Sequence, residues 1–165
     1  MADEPHKEAI EAFYTEAVRQ YDLVVKSLDG LNNKAIGVIA FNGTLLSLFS
    51  LSVVQFVKSS TNLNLQLFLI GVALSYFLII LSIIYAAYAF RVVTICSISP
   101  GTLQKEYYLH ERCEVLNQLC SNISEAVDEN NGISKDKRSL INSSLVFSVL
   151  GVIFICATLV YGFTL

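Results

Sequence analysis

Asn42, Thr44, Ser47, Ser50, Ser52 and Gln55 stand in a stretch, residues 35–57, that carries no charged side chain. Amides and hydroxyls placed in hydrocarbon need hydrogen-bond partners, because no water is there to serve them. Three outlets exist. Hydroxyls can return to a carbonyl of their own helix, amides and hydroxyls can bridge neighbouring helices, and either can face a water-filled lumen between copies of the chain. Asn42, Thr44, Ser47, Ser52 and Gln55 are therefore the candidate pore-lining or interhelical polar residues. A lumen built from them would be neutral, rich in hydroxyls and weakly selective.

Covalent chemistry has no comparable cluster. The two histidines, His6 and His110, are not spaced beside a Ser or Cys nucleophile with an orienting carboxylate. Gly101 and Gly132 are isolated turn glycines rather than a phosphate-binding loop. Cys96, Cys113, Cys120 and Cys156 form no CxxC pair, and Cys113 and Cys120 read as small apolar residues on one helical face. The chain is expected to be no enzyme and to need no metal or cofactor. No nucleic-acid partner is expected.

The elements that carry these residues follow from composition. The chain of 165 residues is 54% hydrophobic and 15% charged, where a soluble protein carries about a quarter charged residues. Residues 35–57 are long enough, at about 1.5 Å of helical rise each, to cross a hydrocarbon core of about 30 Å. Two further windows qualify, at 67–90 and 141–164. The expected fold is all-α, an integral membrane protein with three transmembrane helices in a single membrane domain spanning 1–165. The short polar connection from Lys58 to Asn64 predicts that the first two spans form an antiparallel hairpin.

Two amphipathic stretches flank the spans. Over 6–34, Ile10, Tyr14, Ala17, Tyr21, Val24, Leu28 and Leu31 recur at alternating steps of four and three, the spacing of a helix that packs along one seam. Asn42 continues that register through Ala35 and Val38. Gly30 and Asn32-Asn33 stand just before the membrane, as a kink or as a mark of the interface. After the Ser99-Pro100-Gly101 break, 102–128 repeats the pattern at Leu109, Cys113, Leu116, Cys120, Ile123 and Val127. Neither stretch is stable alone in water, so the two are natural partners, closing a cytoplasmic helical bundle within one chain or between chains. Glu129-Asn130-Asn131-Gly132 reads as the polar loop that ends the second helix. Helix is expected to resume at Ile133.

Small and hydroxyl residues also mark the other spans: Gly71, Ser75 and Ser82 in the second, and Ser144, Ser148, Gly151, Thr158 and Gly162 along one stripe of the third. They read as helix-packing positions. Orientation follows from the basic residues. Of 11 Lys and Arg, all but Lys58 fall before the first span or between the second and third. This predicts a multi-pass protein of the cell membrane with its N-terminus and middle segment cytoplasmic and its C-terminus outside. Lys34, Arg91, Lys135, Lys137 and Arg138 are the candidate interfacial anchors, with stems along the apolar surface and charges at the head groups.

The run Leu31-Asn-Asn-Lys-Ala-Ile-Gly-Val-Ile-Ala-Phe-Asn-Gly-Thr-Leu-Leu resembles the start of the membrane part of the Pycsar-type transmembrane effectors of cyclic-nucleotide antiphage systems and related SMODS-associated small membrane proteins. Lys135-Asp-Lys-Arg-Ser-Leu-Ile-Asn-Ser-Ser, leading into the last span, is similar to theirs as well, as is the order of span, hairpin, cytoplasmic helix, basic step and span. The resemblance implies a cytoplasmic part that senses a cyclic pyrimidine nucleotide and a membrane part that impairs the bilayer on activation.

Residues and resemblance together lead to one expectation. The chain is a homo-oligomer in the lipid bilayer that forms a pore or permeabilises the membrane, as an ion channel or defence effector gated through its cytoplasmic helices. The competing expectation is a non-conducting membrane-anchored scaffold that holds a partner through the seams.

Overall fold

A computed structural model describes residues 4–59, 65–91 and 112–164. They form three helices: α1 (Glu4–Ser59), α2 (Leu65–Phe90) and α3 (Arg112–Thr164). Each holds a segment long and apolar enough to cross a membrane. The connection at 60–64, the Pro100-Gly101 break, the start of a helix at Thr102 and Leu109 lie outside the described residues.

Backbone packing divides the chain into two compact units, one of Met1–Gly30 with Val92–Asp136 and one of Leu31–Arg91 with Lys137–Leu165. In the first unit, Ile10, Tyr14, Ala17, Tyr21 and Val24 are partly buried and Leu28 is buried, as their spacing predicts. On α3, Cys120, Ile123, Ala126 and Val127 are buried with them. Desolvation pushes the Cys120 thiol above its ordinary range, which keeps it protonated as a small apolar seam residue.

The expected loop at Glu129-Asn130-Asn131-Gly132 is corrected: α3 runs through it without interruption. Asn130 is fully buried and Gly132 has no left-handed backbone. The reason lies in the seam. Steps of four and three continue from Ile123 through Val127, Asn130, Ser134, Lys137 and Ile141, all of them buried, so packing outweighs the weak helix propensity of Asn and Gly. Gly30 likewise lies inside unbroken helix, so it makes no break in α1.

The second unit is a three-helix bundle. Asn42 meets Ser82, the Phe49 ring meets Tyr76 and Phe56 meets Phe68, so numbers rise along α1 as they fall along α2, and the two helices are antiparallel. Asn32 pairs with Lys137 and Asn42 with Ser148, which makes α1 and α3 parallel. Each helix turns one heptad seam inward. On α2 it is Phe68, Val72, Ser75, Ile79, Ser82, Ala86 and Ala89, every one buried. Two apolar clusters form the core, one around Phe49, Phe68, Val72, Ile79 and Ile155, the other around Leu31, Ala35, Ala89 and Ile141.

Glycine permits close approaches between α2 and α3. A Cβ on Gly71 would stand 2.6 Å from Thr158 Oγ1, and one on Gly151 would stand 2.7 Å from Ile79 Cγ1. Alongside that apolar core, this unit buries polar side chains and exposes large apolar ones, unlike a water-soluble domain. Asn42, Ser75, Ser82, Ser144, Ser148 and Thr158 are buried, while Phe41, Leu51, Ile70, Phe77, Val149, Ile153 and Val160 face outward. Water penalises that arrangement and hydrocarbon rewards it.

Candidate functional site

The polar side chains of the second unit separate into an inner node and an outer face. The node joins all three helices. Asn42 Nδ2 donates to Ser82 Oγ at 2.8 Å, and Ser148 Oγ donates to Asn42 Oδ1 at 2.7 Å. Ser82 Oγ donates to the Ser144 carbonyl at 2.7 Å, and Ser144 Oγ donates back to the Ser82 carbonyl at 2.7 Å. Each hydroxyl has one proton to give, and each proton is used. Asn42, Ser82 and Ser144 are completely shielded from solvent, and among the described residues no buried polar side-chain atom lacks a partner.

That node is a clamp rather than a lumen. Asn42 of α1 reads the presence of both α2 and α3, and the reciprocal Ser82–Ser144 pair fixes the α2–α3 register. Near the other end of the bundle, Ser50 Oγ donates to the Leu46 carbonyl at 2.6 Å, so the Tyr76 hydroxyl is the donor in the Ser50–Tyr76 bond between α1 and α2.

The outer face holds the rest of the candidates. Thr44, Ser47 and Gln55 are exposed and Ser52 is half-buried. Thr44, Ser47 and Ser52 donate to the carbonyls of Ala40, Gly43 and Leu48, each four residues back on α1. This outlet satisfies the proton and leaves the oxygen free to accept. Thr44, Ser47, Leu51 and Gln55 follow steps of three and four on the side of α1 turned away from the Ala35–Val38–Asn42–Leu45–Phe49 seam.

Of the candidate anchors, Lys34, Arg91, Lys135 and Arg138 are exposed. Lys137 departs from its expected place at the surface. It is 7% exposed and its ammonium donates to Asn32 Oδ1 at 2.7 Å. The cause is register, since 137 falls on the same seam as Ile141 and Ser144. Asn32 was not singled out as its acceptor; a polar residue one position from the α1 seam, at matching depth on a parallel helix, was the available signal.

In the first unit, a groove between the two helices is lined by Phe13, Glu16, Ala17, Gln20, Cys120, Ile123, Ser124, Val127 and Asp128. Its charged side chains are the carboxylates of Glu16 and Asp128, the wrong sign for a phosphate. Glu16 is held below the usual carboxylate range by hydrogen bonds from Arg19 and Gln20. Among the described residues, no three His, Cys, Asp or Glu side chains gather as a metal site would require. Comparison of this chain with protein-family models, with curated proteins and with solved structures finds no match.

Proposed function

We propose that this chain is a multi-pass membrane protein whose copies assemble along the outer face of α1 and open a hydrated path there, permeabilising the bilayer. The observation that carries the reading is the position of Thr44, Ser47 and Gln55. They lie outside the three-helix bundle, whereas the remaining outward positions of α1 are dominated by large apolar residues such as Phe41, Leu48 and Leu51. The Thr44 and Ser47 protons return to α1 itself, and the cost that remains in lipid, that of the Gln55 amide and of the hydroxyl oxygens, is relieved by a second copy or a column of water. Asn42 then acts as the internal clamp of each copy rather than as its lining.

The basic residues orient the assembly with α1 starting on the cytoplasmic side and α3 ending outside. α1 and α3 each continue unbroken from the extramembrane unit into the spans, giving a repacking of that unit a covalent route to the outer face. The resemblance to cyclic-nucleotide antiphage effectors supports a defence role. The acidic groove of the first unit lends no support to a cyclic nucleotide bound there.

The test combines mass and flux. Purified protein in nanodiscs should give a discrete oligomer of roughly four or more copies. In liposomes it should release a small ionic dye, and the triple variant Thr44→Val, Ser47→Ala, Gln55→Leu should lower that release about tenfold or more while the mass is kept. A monomer, or full release from the triple variant, defeats the proposal. A non-conducting scaffold is the second reading, favoured by the exposure of Phe13 and Leu23 in the first unit, where apolar side chains face water.

A further inference from the structure

Between the parallel helices α1 and α3, the second unit has a groove of about 350 Å3, whose walls are Val38 and Phe41 on one side and Ile141, Leu145 and Val149 on the other. Taking about 30 Å3 for a group the size of a water molecule, it has room for roughly ten such groups. Ser148 is the hydroxyl in its lining, and that proton is already given to Asn42 Oδ1. Apart from Lys34, the groove therefore offers apolar contact and no free donor.

Its remaining two lining residues say what fits. Gly37 leaves the floor open: a Cβ there would meet no atom within 4 Å. A glycine inside a helix costs about 1 kcal/mol relative to alanine, and here no neighbour within the chain requires it. Lys34 stands one turn before Gly37 and is exposed, with no carboxylate paired to it among the described residues. Arg138 is exposed one turn before Ile141 on the same face of α3, so both walls carry a cation toward the same end.

We propose that this groove is a binding site for an anionic phospholipid, one acyl chain lying over Gly37 between Phe41 and Leu145 and the phosphate facing Lys34 and Arg138. The site rests on the membrane reading above. Charge selects the head group and the glycine floor admits the chain, so the two features are separable by mutation.

The experiment is native mass spectrometry of the full chain released from nanodiscs of phosphatidylglycerol mixed with phosphatidylcholine, with flotation of the same protein on liposomes as a companion. Wild-type protein should retain phosphatidylglycerol in preference to phosphatidylcholine. Lys34→Gln should weaken that preference about fivefold, the effect of one cation at a membrane surface. Gly37→Leu, whose Cβ meets no protein atom within 4 Å and whose longer side chain extends from the floor into the groove, should abolish retention of both lipids while thermal stability is maintained. Equal retention of both lipids by the wild type, or unchanged retention in Gly37→Leu, overturns the site alone. A Gly37→Leu variant that loses oligomeric mass rather than lipid assigns the groove to a second copy and likewise overturns it. Failure to float with liposomes removes the membrane reading itself, and the site with it.

Discussion

Asn42 is the residue on which the bundle converges, and its neighbours define what its loss should do. Asn42→Leu removes the donor to Ser82 and the acceptor for Ser148, leaving the buried Ser148 proton without its acceptor and the Ser82 oxygen without its donor. Ser82 still donates to the Ser144 carbonyl, so only part of the node is lost. Interhelical hydrogen bonds of this kind contribute about 1–2 kcal/mol at most in membranes, and an orphaned partner adds a similar amount. Thermal unfolding in mild detergent should register a loss of about 1–2 kcal/mol for Asn42→Leu. Gln55→Leu, which alters an exposed amide, should leave that stability within about 0.5 kcal/mol.

At the scale of elements, the continuity of α3 and its approach to α2 make opposite demands on glycine. Gly132 lies inside helix with helical backbone, and an added Cβ meets nothing within 4 Å. Gly132→Ala should therefore raise stability by about 0.5–1 kcal/mol through the lower entropy of the unfolded chain. Were 129–132 a loop with a left-handed glycine, the same change would destabilise, so one melting curve separates the two backbones. Gly71 is the converse. Its Cβ would press on Thr158 Oγ1 and Cγ2, and Gly71→Ala should cost about 1–3 kcal/mol in detergent. Adding Thr158→Ala removes both atoms, so the double variant should recover most of the loss, giving a non-additive cycle.

For the whole molecule, the distribution of charge gives the sharpest prediction. Lys58 lies in the last turn of α1, apart from every other basic residue. In a background lacking the native cysteines, Lys58→Cys should react in intact cells with a membrane-impermeant maleimide, and Lys135→Cys should react only after the membrane is opened. Reversed labelling would invert the topology and place the 4–30 and 112–136 helices outside.

The amino-acid sequence alone determined the helical class, the three apolar segments and the inward seams of α1 and of the start of α3, because each is written as a local period of hydrophobic or small residues. Ser75, Ser82, Ser144 and Ser148 were legible as packing positions for the same reason. Tertiary structure decided what local signals contradict or leave open. Asn130-Asn131-Gly132 reads as a loop by propensity, yet burial of the seam holds it helical. Lys137 reads as a surface anchor by charge, yet its register turns it inward to Asn32. Asn42 and Thr44 stand two residues apart in one polar list, yet a separation of roughly 200° around the helix sends one into the clamp and the other to the outer face. Which of two faces is inside depends on partners far along the chain, and no local window contains them.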